Sequence, residues 1–181
     1  MRRFMKAARI ILLLMLVVLS GCKDLRTKRT LVEFSSAPVP FPETVLKIQG
    51  TSVSSVAFPK DTMRMVYFTP PASCFTCSVL HSYELCNLFD QQEGYMTILL
   101  MAPKPEDLTE LIASIEDSNY DFPIYVTENL DWLETTTIPK DERFHSFLVD
   151  KEGYPIFVGD PVRSEAAGEK FEQILEQQKK K

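Results

Sequence analysis

Strands alternating with helices along most of the chain indicate an α/β domain with a central mixed sheet and helices on both faces. Three observations carry that reading. The apolar run Met65-Val-Tyr-Phe-Thr69 stops at Pro70-Pro71, and helical spacing follows from Cys74. Tyr95-Met-Thr-Ile-Leu-Leu-Met101 is apolar at odd and even positions alike, as expected of a central strand covered on both faces. Two further runs, His145 to Asp150 and Tyr154 to Gly159, flank Lys151-Glu-Gly153, a glycine-containing turn that joins them as a hairpin. The expected order is β-α-β-α-β-loop-β-β-α, largely parallel with an antiparallel edge.

The 181 residues carry a formal charge of −5. Arg2, Arg3, Lys6 and Arg9 precede a purely apolar run of ten residues, Ile10 to Leu19. A bilayer span takes about 20 residues, so this run is too short to be one. It ends in Leu19-Ser-Gly-Cys22, which looks like a bacterial lipobox. Residues 1–21 are therefore expected to be a signal peptide, with Cys22 carrying a lipid. Lys23 rather than Asp after that cysteine resembles the sorting pattern of outer-membrane lipoproteins. The expected location is the extracytoplasmic cell envelope, with the lipid as the membrane contact. Losing the four leader cations would take the charge from −5 to −9. So acidic a domain argues against nucleic acid as a partner.

Residues Lys23 to Pro42 mix charge, Ser and Pro and are expected to be a tether with little regular structure, the folded domain beginning at Thr44. Thr44 to Gln49 and Ser52 to Phe58 read as two short strands about Gly50. The strand through Tyr67 leads into a helix ending near Gln91 to Gly94, for which Ser73 is the expected cap. After the Tyr95 strand, Pro105, Glu106 and Asp107 suit the first turn of a helix whose inner face is Leu108, Leu111, Ile112 and Ile115. Asp121 to Thr127 is a third strand, and Glu128 to Arg143 is ambiguous, with Trp132 expected to pack. Pro155, near the start of the last strand, marks that strand as an edge. Ser164 to Lys179 closes the chain as a helix facing inward with Phe171, Ile174 and Leu175.

The chemistry points to Cys74-Phe-Thr-Cys77. A helix start places the first thiol over unpaired amides and the positive end of the dipole, an environment that favours thiolate, the reactive form. An exported location is oxidising, so the pair could rest as a disulfide. Cys86 falls in line with Val79 and Tyr83 and reads as a core residue.

A cysteine pair directly after the first core strand, with Phe147-Leu-Val-Asp-Lys-Glu-Gly153 late in the chain, resembles the thioredoxin fold. More narrowly, it resembles the membrane-tethered TlpA/ResA-type branch, whose extra helix and strand would be Leu108 to Val126. The resemblance covers about residues 60 to 178. It implies a thiol–disulfide oxidoreductase acting on protein thiols or disulfides, with no cofactor. Cys74 would be the exposed attacking thiol, and Cys77, more buried, would resolve the mixed disulfide. Ser73 stands where that family has Trp, the turn is one residue longer, and Phe144 stands near the family's cis-proline. Two other readings compete. One is copper handling as in Sco-type proteins, with His145, or His81 four residues after Cys77, joining the cysteines. The other is a redox-inactive binding or adaptor lipoprotein on the same scaffold.

Overall fold

The computed structural model describes residues 25–71, 73–89, 95–117, 120–128 and 131–180. The expected signal peptide, the expected lipid site Cys22 and the expected helix end at Gln91 to Gly94 lie outside the described residues. Seven strands form one sheet: β1 (Thr44–Gln49), β2 (Ser52–Ala57), β3 (Met63–Thr69), β4 (Tyr95–Met101), β5 (Ile124–Val126), β6 (Ser146–Val149) and β7 (Pro155–Val158). Their spatial order is β2-β1-β5-β4-β3-β6-β7. Only β3–β4 and β4–β5 pair in parallel; the other neighbours are antiparallel, so the sheet is mixed, with its parallel part confined to the centre. Pro155 opens β7, which is an edge strand as expected. The strand expected over Asp121 to Thr127 shrinks to Ile124–Val126, because Pro123 has no amide hydrogen for the ladder.

Two interleaved cores follow from strand alternation. Met65, Leu99, Met101, Ile124, Val126 and Leu148 face the helices α2 (Phe75–Phe89), α3 (Leu108–Asp117) and α5 (Glu165–Lys179). The two parallel crossovers run in one direction across the sheet, and right-handed crossovers in one direction lie on one face. The expected inner faces are met: Leu111 and Ile115 in α3, and Phe171 and Leu175 in α5, are buried. The Oγ of Ser164 accepts from the Ala167 amide at 3.3 Å and caps α5.

The opposite face presents Val66, Phe68, Ile98, Leu100, Tyr125, Phe147 and Val149, none more than 5% exposed. Part of what covers it was expected to be an irregular tether. Instead, residues 25–35 form a helix, α1, and Phe34 is 2% exposed with its ring edge-on to Phe147 at 5.1 Å. Phe41 stacks on Phe58 at 4.6 Å, and the Val39 amide donates to the Gly153 carbonyl at 3.0 Å. Trp132 opens a short helix, α4 (Trp132–Thr135), lies edge-on to Phe68, and donates its indole N–H to the Pro40 carbonyl. The physical reason is coverage: without these groups, a sheet face of large apolar side chains would meet water. Arg64 ties the same region together from inside. It is 2% exposed, donates to the Pro59 carbonyl at 3.1 Å and the Asp150 carbonyl at 2.8 Å, and lies over the Phe41 ring at 5.5 Å.

Candidate active site

The site forms where β3 ends at the sheet's carboxyl edge. The Thr69 carbonyl still serves the ladder side by accepting from Ala102 N at 3.0 Å, but Pro70 ends the strand. A tight turn closes when the Ser73 amide donates to the Pro70 carbonyl at 3.1 Å. The first helical bond then runs from Ser78 N to the Cys74 carbonyl, also 3.1 Å. The residue capping α2 is therefore Cys74, not Ser73. Ser73 belongs to the turn, through its bond to Pro70. The Sγ of Cys74 accepts from the Cys77 amide at 3.3 Å, the bond an N-cap side chain makes to the third helical residue. Helix amide and dipole thus converge on this sulfur, which stabilises negative charge there.

Cys74 and Cys77 are joined as a disulfide, with Cα atoms 5.4 Å apart. Both residues are exposed, so the expected burial of Cys77 is not present. Cys86 is buried at 6%, as expected, although Tyr83, with which its spacing aligned it, is 51% exposed.

Cys74 stands between two grooves. One, about 490 Å³, is floored by Tyr67, Phe68 and Thr69 of β3 and walled by both cysteines, His81, Glu142 and His145. The other, about 560 Å³, runs over Phe75 and Leu111 and is rimmed by Lys104, Asp107 and Glu110. A further recess between α1 and Pro139–Phe144 holds no cysteine or histidine.

His145 and His81, distant in sequence, meet in the first groove. His145 is 6% exposed, edge-on to Phe68 at 5.2 Å, and its Nε2–H donates to the Pro139 carbonyl at 3.0 Å. Burial pushes its pKa below the ordinary histidine value. Its own carbonyl accepts from Phe68 N at 2.8 Å, so the backbone here extends the β3–β6 pairing to the groove's edge. Phe144, where the resemblance has its cis-proline, is buried in a single 3-10 turn (Glu142–Phe144), and no peptide bond among the described residues is cis. His81 is half-buried, 5.1 Å from the Tyr67 ring, and hydrogen-bonded through Nε2 to Asp160 Oδ2 at 2.6 Å. Among the described residues no group of three or more His, Cys, Asp or Glu side chains is arranged to hold a metal ion.

Sequence reasoning missed Tyr67, Asp160 and Glu142. Burial, then the negative charges of Asp160 and Glu142, push the Tyr67 phenol above its ordinary pKa, against the opposing pull of Arg163 and a hydrogen bond with Ser78. Tyr67 did carry a signal: it is the polar-tipped residue within the apolar run Met65 to Phe68, and the structure leaves it the one position of β3 that is only partly buried. Asp160 and Glu142 carried none, since each lies in a turn far along the chain.

No family model matches the chain, and no curated protein sequence matches it. Several solved structures have a similar chain trace. One is the thioredoxin domain of a thiol-disulfide oxidoreductase from Bacteroides vulgatus, at 22% identity and a TM-score of 0.47, covering 77% of this chain and 99% of that one. A domain of a possible thiol-disulfide isomerase from Cytophaga hutchinsonii has 14% identity and a TM-score of 0.43, covering 81% and 100%. AhpC from Mycobacterium tuberculosis has 12% identity and a TM-score of 0.43, covering 68% and 86%. The sheet order, the position of the cysteine pair after β3 and the closing hairpin make this a thioredoxin-like fold.

Proposed function

We propose that the protein is a thiol–disulfide oxidoreductase of the cell envelope, tethered by a lipid on Cys22. The observation that carries the catalytic reading is the capping geometry of Cys74. An exposed cysteine, bonded to its partner three residues on, sits on a helix start whose amide donates to its sulfur. In the reduced protein, the Cys74 thiolate attacks a substrate disulfide. The Cys74–substrate bond forms, and the other substrate sulfur leaves as thiolate and is protonated by solvent. Cys77 then attacks Cys74, the substrate's second sulfur leaves, and two electrons have passed from protein to substrate. The reverse sequence oxidises a substrate dithiol. The grooves on either side of Cys74 leave room for an extended polypeptide, which supports a protein thiol or disulfide as substrate. Lipid anchoring is supported by Leu19-Ser-Gly-Cys22 after the apolar run.

Cys77→Ser tests the reading, because it leaves a mixed disulfide unresolved. Cells expressing it are expected to accumulate high-mass species on non-reducing gels that collapse on reduction and are absent for the Cys74→Ser, Cys77→Ser double variant. No such species, together with no insulin reduction by the wild type, would sink the catalytic reading. An unacylated Cys22 in a retained leader, seen by mass spectrometry of membrane-purified protein, would sink the tether.

A further inference from the structure

Resolution by Cys77 needs its thiol proton removed, and the groove holds two imidazoles beside the cysteine pair. We propose that His81, held by Asp160, is the base that takes the Cys77 proton during resolution. This role rests on the oxidoreductase reading.

His81 follows Cys77 by four residues in α2, one helical turn on, where side chains share a face. It lines the same groove as both sulfurs. Asp160 comes from beyond the end of β7, 79 residues away in sequence, and its side chain is only 13% exposed. Its other oxygen, Oδ1, accepts from the Val162 amide at 3.1 Å, so the carboxylate is fixed before it meets the ring. A carboxylate on Nε2–H fixes the tautomer and orients the ring, leaving Nδ1 as the proton-accepting nitrogen.

The other groups around His81 suit the task less well. His145 spends its Nε2–H on a backbone carbonyl, and burial disfavours the cation it would become. Tyr67, packed on His81 from β3, is held protonated by burial and by Asp160 and Glu142. Glu142 lines the groove from the turn before β6, and Arg163, from the loop before α5, acts on Tyr67 in the opposite sense.

The step balances simply. The Cys77 proton passes to His81, the Cys77 thiolate forms the bond to Cys74, and the Cys74–substrate bond breaks. The departing substrate thiolate then takes the proton from the imidazolium, and the neutral ring is restored.

The test uses reduced full-length protein and a substoichiometric aromatic disulfide, dithionitrobenzoate, in stopped flow. Each turnover releases one coloured thiolate as Cys74 attacks and a second as Cys77 resolves. In His81→Gln the ratio of second-phase to first-phase rate is expected to fall roughly 100-fold at neutral pH, the lower end of general acid–base contributions. Asp160→Asn should move it in the same direction. The deficit of His81→Gln should shrink at alkaline pH, where hydroxide ionises the Cys77 thiol without a protein base, with circular dichroism melting curves confirming that each variant is folded. A ratio within about threefold of wild type at neutral pH, or a deficit that stays the same at alkaline pH, overturns the assignment. A wild type that releases only one coloured thiolate per turnover overturns the oxidoreductase reading itself, and this role with it.

Discussion

Phe34→Ala asks whether the segment before β1 belongs to the folded domain. The ring is 2% exposed and packs edge-on against Phe147 at 5.1 Å, itself fully buried. A buried phenylalanine removes about 150–250 Å² from water, worth about 4–6 kcal/mol at 25 cal/mol per Å². Core Phe→Ala substitutions cost about 3–5 kcal/mol, and the lower figure suits a helix at the sheet's periphery that can settle partly into the gap. Against a usual total stability of about 5–15 kcal/mol, that is a large share. In urea, with a slope of about 2 kcal/mol per M, the midpoint should fall by about 1.5 M. The assay is equilibrium unfolding by circular dichroism on protein lacking residues 1–21. A midpoint drop below about 0.5 M at unchanged slope would show that α1 adds little to the fold and that a free tether reaches further along the chain.

Trp132→Phe keeps most of the ring but removes the N–H given to the Pro40 carbonyl. It should cost about 1 kcal/mol in the same unfolding assay, and no loss would mean that Pro40 is not held there. His145 gives a pH signature whose sign follows from its lowered pKa. Below about pH 6.5 the unfolded chain binds a proton that the folded protein resists, so stability falls as pH drops from about 6.5 through the folded value. His145→Gln should flatten that part of the stability–pH curve; an unchanged slope would show that His145 is not the group responsible.

Much of the scaffold was legible because it is written in local patterns. The doubly apolar run at Tyr95, the proline stop after Thr69 and the glycine turn after Asp150 each reflect a backbone requirement of the residues themselves. The residues before β1 hid their role for the opposite reason. Phe34, Val39 and Phe41 follow no helical or strand period across the Ser- and Pro-rich stretch, and only the bare sheet face explains their burial. Arg64 drew no expectation from its place in the sequence, and its partners are carbonyls of Pro59 and Asp150 that only the fold brings near. At the site, the cysteine pair and its helix start were visible, but the cap is Cys74 rather than Ser73, whose amide closes the turn back to the Pro70 carbonyl. The His81–Asp160 pair joins α2 to the end of the hairpin, and no spacing rule links residues so far apart.

The central claim is that Cys74 and Cys77 form a working redox couple rather than a clip on a helix end. The most direct measurement is the fraction of protein oxidised across a series of thiol–disulfide buffers, read by thiol alkylation. A single reversible two-electron transition is expected, lying in the roughly −270 to −120 mV span of thioredoxin-like oxidoreductases and lost in Cys74→Ser. A disulfide that stays closed below about −300 mV, or one that never re-forms once opened, would mark the pair as structural and leave the protein without this chemistry.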